Sequence, residues 1–337
     1  MASGRRKAAA PRVIGTTEAG VAESAPLVRT PTAPVPAGAV AEWFTGAGGA
    51  RLRAALFPAV GKPRGSVVVS PGRTEAIEKY FEVAGALAGR GFVTLVHDWR
   101  GQGLADRLLP DRLLGHAAGY QDFLTDYAAL LAAFEARLPR PWIALGHSMG
   151  GCLTLLALAE GERRFAGAIL SAPMLGVRVG AVPRVVARAL ALALTRLGRG
   201  GQPVPGPASP TTPFDSNIVT HDAVRYARAE ALIEACPDLA LGLPTWGWLD
   251  FAFVATSRLA QGAGVPRIEV PVTVVAAGDD KLVDNTALKA VSARLPHGHY
   301  VEIPGAFHEI LQETDDVQAV FWREFDDLAA PLSLAKT

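Results

Sequence analysis

The sequence is short of cysteine, of net charge and of long uninterrupted apolar runs, and each shortage closes off a class of function. Two cysteines, Cys152 and Cys236, occur in 337 residues. That is no disulfide framework, and free thiols in a reducing compartment are the simpler reading. Formal net charge is +1, which argues against nucleic acid as a partner and against an electrostatic scaffold. The best apolar run, VVARALALALTRLG (185–198), is broken by Arg188 and Arg196 and is too short to span a bilayer. The N-terminus, MASGRRKAAAPRVIGTT, is basic but has no leucine-rich stretch of the kind a secretory signal carries. The expectation is a cytoplasmic protein.

Apolar residues themselves are plentiful. Half the chain is hydrophobic, enough to bury a sizeable core. Residues 1–40 stand apart, rich in Ala, Pro, Thr and Gly with five basic and two acidic residues, and read as a disordered tail. AEWFTGAGGARLRAALF (41–57) reads as a hairpin around a Gly-Gly turn. Strand-like and helix-like runs then alternate. The strands are SVVVS (66–70), FVTLVH (92–97), WIALG (142–146), GAILSA (167–172), VTVVAA (272–277) and HYVEI (299–303). Helical patterns cover 75–91, 120–137 and 314–329, the last opening on Thr314 and two aspartates. Short, apolar, β-branched strands between helices predict an α/β fold with a mostly parallel sheet covered on both faces. Residues 174–261 contain no clear strand and read as a helical cap inserted into a core of 41–173 and 262–337.

The chemistry concentrates at Gly146-His147-Ser148-Met149-Gly150, a G-x-S-x-G between a strand and a helix. A serine on so tight a corner takes a strained backbone and lifts its hydroxyl above the sheet, while the glycines remove Cβ atoms that would collide. The helix after the turn aims its free N–H groups at the same place. A serine hydroxyl needs a base. Of seven histidines, His147 is set aside because its side chain should point away from its neighbour. His97 reads as packing, His116 and His221 fall in loop or cap, and His297 and His299 lie at the start of the last strand. His308, in IPGAFHEILQE, comes after that strand, where open α/β sheets bind ligands. The base needs a carboxylate. Asp279, Asp280 and Asp284 all come after the 272–277 strand, and spacing does not choose among them. An oxyanion needs N–H donors: that of Met149, and one from Gly72 or Arg73, since Pro71 has none.

With these residues in view, the chain resembles the α/β-hydrolases of the lysophospholipase L2 and monoacylglycerol lipase group, in the serine aminopeptidase-like set, over about residues 41–330. GHSMGG resembles that group's nucleophile elbow, DWRGQGLADR its D-x-R-G-x-G-x-S segment with alanine in place of serine, GDDKLVDN its acid loop and GAFHEILQE its base loop. SPGRTEAIEKY departs from the His-Gly of monoacylglycerol lipases and is nearer the lysophospholipase L2 branch, as are SAPML, PFDSNIVTHDAVRY and PDLALGLPTWGW. The resemblance implies Ser148 as nucleophile, Asp280 as acid, His308 as base, and the Met149 and Arg73 N–H groups as the oxyanion hole.

The same resemblance implies ester hydrolysis through an acyl-serine, on lysophospholipids or monoacylglycerols, with no metal, no cofactor and no obligate protein partner. The rivals are an acyltransferase with the same triad, a small-ester esterase and a non-catalytic ligand-binding protein. Serine at position 148 excludes the aspartate-dependent dehalogenases and epoxide hydrolases. In the 184–197 run, Val186, Leu190, Leu194 and Leu197 share a face; docking on the core is its first reading. Transient contact with the inner-membrane surface is the second.

Overall fold

The computed structural model describes residues 23–180, 182–206 and 212–334. Among them are the strands β1 (Val40–Thr45), β2 (Arg51–Phe57), β3 (Gly65–Ser70), β4 (Phe92–His97), β5 (Trp142–His147), β6 (Gly167–Ser171), β7 (Val272–Ala277) and β8 (Gly298–Ile303). They form one sheet in the order β1-β2-β4-β3-β5-β6-β7-β8. The β1–β2 hairpin joins it antiparallel, and every pairing from β4 to β8 is parallel.

Burial explains the run-on apolar strands. Side chains alternate across a strand, and here both faces are covered. Val68, Trp142 and Ala144 enter one core layer with Tyr127, Leu156 and Phe251. Val67, Val69, Ile143 and Leu145 enter the other, with Leu87, Phe321 and Phe325. The helices α1 (Phe81–Gly89) and α8 (Asp315–Leu334) therefore cover one face, and α2 (Gln121–Phe134) and α3 (Ser148–Ala159) the other. In α2 the expected stripe of Phe123, Tyr127, Leu130, Leu131 and Phe134 is buried.

Two expectations change. The 75–91 pattern is not one helix: Ile77–Tyr80 form a 3-10 turn before α1 begins. The Asp98 carboxylate takes the Ile77 N–H at 3.0 Å, so side chains rather than a helical ladder satisfy this stretch. The tail reading of 1–40 also fails from residue 23 onward, while residues 1–22 lie outside the described residues. Ala25 N–H donates to Ala41 at 2.8 Å, Trp43 N–H to Glu23 at 2.9 Å, and Val28 N–H to the Glu78 carboxylate at 3.0 Å. The edge strand β1 offers unpaired backbone groups, and a partner for them needs no apolar composition.

Between β6 and β7 lie α4 (Arg184–Leu194), α5 (Ala223–Ala235) and α6 (Trp246–Ala260), with α7 (Asn285–Ser292) after β7. Asp222 caps α5 and Thr245 caps α6. Ala187 and Ala191 of α4 pack on Leu249 and Phe253 of α6. Of the expected face, Val186, Leu190 and Leu197 stay exposed and Leu194 is half-buried, so the docked face of α4 is the alanine face.

Candidate active site

The sheet register brings the carboxyl ends of β3, β5, β6 and β7 level, with Ser70 opposite Gly146 and His147 opposite Ser171. At that edge Ser148 takes φ of 48°, a left-handed conformation few side chains adopt. The close quarters explain the glycines. A Cβ on Gly150 would sit 2.0 Å from the Ser70 carbonyl oxygen, and one on Gly146 would sit 2.6 Å from Gly151 Cα. Strand, turn and helix can meet this closely only because those positions carry no side chain.

The loops after β7 and β8 complete the arrangement. Ser148 Oγ lies 2.9 Å from His308 Nε2, and His308 Nδ1 lies 2.6 Å from Asp280 Oδ2. Asp280 and His308 are both buried, at 4% exposure each. The carboxylate fixes the ring: Nδ1 donates to Asp280, which leaves Nε2 free to accept from the serine hydroxyl. Asp280 Oδ1 takes the Leu282 and Val283 N–H groups at 2.8 and 2.9 Å. Burial works against the Asp280 charge, but the His308 bond and charge and those two N–H groups outweigh it and hold the carboxyl below its ordinary range. Of the other aspartates, Asp279 is exposed, and Asp284 caps α7 by accepting the Thr286 N–H.

The backbone of the loop after β3 is held by side chains. Trp99 Nε1 donates to the Pro71 carbonyl at 2.8 Å, and Gln102 Nε2 donates to that of Gly72 at 2.7 Å. The Gly72 N–H is taken by the Glu75 carboxylate. Between the two loop residues the sequence leaves as donors, only the Arg73 N–H is therefore uncommitted among the described residues. Met149 lies in the first turn of α3, where N–H groups lack a carbonyl one turn back.

Sequence reasoning missed what lies behind the serine. Glu75, 2% exposed, accepts from Tyr80 OH at 2.5 Å and pairs with Lys79 at 3.0 Å and His147 Nδ1 at 3.0 Å. Lys79 also pairs with Glu309 at 2.6 Å. Burial opposes the Glu75 charge, but His147, Lys79 and Tyr80 outweigh it and hold the carboxyl well below the usual range. The available signal was the Glu75/Lys79 spacing of four, a helical ion-pair pattern inside an apolar run.

The remaining histidines hold elsewhere. His97 is buried against Trp99 and Tyr127, and burial pushes its ring down to about 3, so it stays neutral. His116 bonds Thr245, His221 bonds Glu313, and His299 bonds Glu324. Among the described residues no cluster of His, Cys, Asp and Glu is placed to hold a metal.

A family model described as serine aminopeptidase, S33 matches residues 61–315. Lysophospholipase L2 of Escherichia coli (strain K12) is 34% identical over 290 residues, which covers 82% of this chain and 83% of that protein. The monoacylglycerol lipase of Mycolicibacterium smegmatis is 27% identical over 280 residues, or 81% of this chain and 91% of that one. Among solved structures, a soluble variant of monoglyceride lipase from Saccharomyces cerevisiae in complex with a substrate analog matches with a TM-score of 0.70 at 19% identity, over 90% of this chain and 97% of that chain. That last likeness is one of fold. The chain belongs to the serine aminopeptidase, S33 family, among the α/β-hydrolases that include the lysophospholipases and monoacylglycerol lipases.

Proposed function

We propose that this chain hydrolyses carboxylic esters of lysophospholipids or monoacylglycerols through an acyl-serine intermediate. The observation that carries the reading is the unbroken chain from Ser148 Oγ to His308 to Asp280, at 2.9 and 2.6 Å. His308 Nε2 takes the Ser148 proton as Oγ attacks the ester carbonyl. The Met149 and Arg73 N–H groups receive the oxyanion. Collapse of the adduct expels the alcohol, which leaves with the proton held on His308. Water then attacks the acyl-serine while His308 again accepts a proton, and the fatty acid departs. Helices α4 to α6 are the cap over this site.

The test is release of fatty acid from lysophosphatidylcholine, monoacylglycerol and p-nitrophenyl esters of graded length, by wild type and Ser148→Ala. Serine-dependent release from the two lipids supports the reading. Transfer of the acyl group to added glycerol in place of release would move the assignment to an acyltransferase. Release from the shortest esters alone would make it a small-ester esterase.

Contact with an anionic membrane surface fits the exposed side of α4 and of the turn that follows it, Thr195–Arg199. Val185, Val186, Leu190 and Leu197 are exposed there, beside Arg184, Arg188, Arg196 and Arg199, and no acidic residue occurs from 163 to 214. No helix among the described residues is long and apolar enough to cross a membrane. Flotation with anionic vesicles, weakened in Val185→Ser/Leu190→Ser, is the expected result; equal recovery of both proteins with the vesicles would refute it.

A further inference from the structure

The two buried arginines among the described residues, Arg53 and Arg100, are neutralised. Arg53 sits between Glu78 and Asp98, at 2.7 and 2.8 Å. Arg100 sits between Asp122 and Asp126, at 3.2 and 2.5 Å. Arg73, half-buried, differs from them. No carboxylate among the described residues pairs with it, although its Nε is buried and has no hydrogen-bond partner. Nη2 donates to the Gly242 carbonyl, and the guanidinium lies 5.2 Å from the centre of the Trp248 ring. Burial without a counter-anion pushes the group down to about 10, so at neutral pH it keeps its charge. A charge partly withdrawn from water and left without a counter-anion is destabilising.

Its position gives that cost a use. Arg73 sits just past the turn that abuts the first turn of α3, where Gly150 meets the Ser70 and Pro71 carbonyls. Gly115 leaves room for the guanidinium: a Cβ there would lie 2.8 Å from Nη2. Gly115 and Trp248 also line a narrow cleft that reaches Met149, His116 and Leu241. The group therefore stands beside the wall of the site, with most of its five N–H donors uncommitted.

We propose that the Arg73 side chain is a headgroup subsite that receives a phosphate oxygen on the alcohol side of the scissile ester, which makes phosphate-bearing acyl esters the favoured substrates over neutral monoacylglycerols. This rests on the reading of Ser148 as the nucleophile. A planar guanidinium suits a phosphodiester because it can offer two parallel N–H groups to two oxygens. Arg107 supplies the contrast. It also lies against this part of the chain, but both of its terminal nitrogens donate to carbonyls, those of Gly101, Asp238 and Ala240, and its Nε alone has no partner. Arg107 is a clasp, whereas the Arg73 guanidinium makes one such bond, to Gly242.

The experiment measures binding, so that it stands apart from the chemistry of Ser148. A short-chain ether lysophosphatidylcholine and the alkylglycerol of the same chain, neither of which can be hydrolysed, are titrated calorimetrically into wild type, Arg73→Gln, Arg73→Lys and Arg107→Gln. The expected result is tighter binding of the phospholipid by wild type. Arg73→Gln lowers the ratio of the two affinities at least tenfold, Arg73→Lys by less, and Arg107→Gln leaves it within twofold. A ratio within twofold of wild type in Arg73→Gln, or no preference in wild type, overturns the proposal and makes Arg73 a second clasp. If Arg73→Gln does not fold, Arg73→Lys decides: a threefold fall supports the subsite, and an unchanged ratio overturns it. Inorganic phosphate separates a headgroup from a free ion; phosphate bound as tightly as the lysolipid overturns the headgroup reading. Failure of fluorophosphonate to label Ser148 would strike the nucleophile reading and leave this binding result to be judged by itself.

Discussion

His147 Nε2 stands 3.3 Å from the carbonyl oxygen of His308, so the residue just before the serine holds the backbone of the residue that faces it. Its other nitrogen reaches Glu75, which also takes the Gly72 N–H. One buried carboxylate thus ties the elbow, the loop after β3 and the loop after β8 together. Only an imidazolium can donate both His147 bonds at once. Burial opposes that charge, but Glu75 outweighs it and raises His147 above its ordinary value.

His147→Phe is expected to lower kcat on the order of 10²-fold with KM little changed, because the base loses its alignment while the pocket keeps its walls. A rise in KM with kcat intact would contradict this. The pair also sets a pH window for stability. The depressed Glu75 contributes stability above the ordinary Glu value of about 4.3 and loses it as pH falls through its folded value. The raised His147 contributes fully below about 6.5 and loses it as pH rises through its folded value. The Tm gap between wild type and His147→Phe should be widest between those limits and narrow on both sides.

Asp280→Asn should cut kcat by roughly 10³–10⁴-fold, since an amide can donate to His308 Nδ1 and so favours the wrong tautomer. The shift of Asp280 is downward, so its carboxylate stays ionised above about pH 4, and any fall in rate between pH 5 and 8 comes from another group. Steady-state kinetics on a p-nitrophenyl ester across pH would check both statements. Activity of the variant within tenfold of wild type would contradict the first.

Arg53 is fully buried between Glu78 and Asp98, and it also donates to the Pro26 carbonyl at 2.9 Å. Removing the one cation leaves two buried carboxylates without a partner. Arg53→Met is expected to cost about 3–5 kcal/mol, a large share of the roughly 5–15 kcal/mol that holds a domain. Urea unfolding would read this as a lower midpoint at unchanged slope.

Cys152 is fully buried in α3, and burial pushes its thiol up to about 12. A thiol this far from ionising does not react in the folded state. Iodoacetamide should label Cys236, which is half-buried, well before Cys152 and leave activity unchanged. Rapid alkylation of Cys152 in folded protein, detected by peptide mass spectrometry, would refute this.

What was legible in the sequence is what depends on local pattern. The strands are readable because β3, β5 and β7 are buried along their whole length and so carry mostly apolar residues, with a serine, threonine or histidine as the exceptions. Ser148 is readable because strand, glycines and helix are contiguous. The aspartate was not, since Asp279, Asp280 and Asp284 share one loop and only the approach of the loop after β8 brings Asp280 to His308. Glu75 and His147 meet across 72 residues of chain, a distance at which no periodicity speaks. Residues 23–25 misled for the opposite reason: backbone pairing with β1 leaves no mark on composition.

The most direct measurement is fluorophosphonate labelling of the folded protein with the modified residue mapped by peptide mass spectrometry, run on wild type and Ser148→Ala. The account predicts one label per chain of wild type, on Ser148, and none on the variant. Absence of label from Ser148 in folded wild type, or equal labelling of Ser148→Ala, would contradict it.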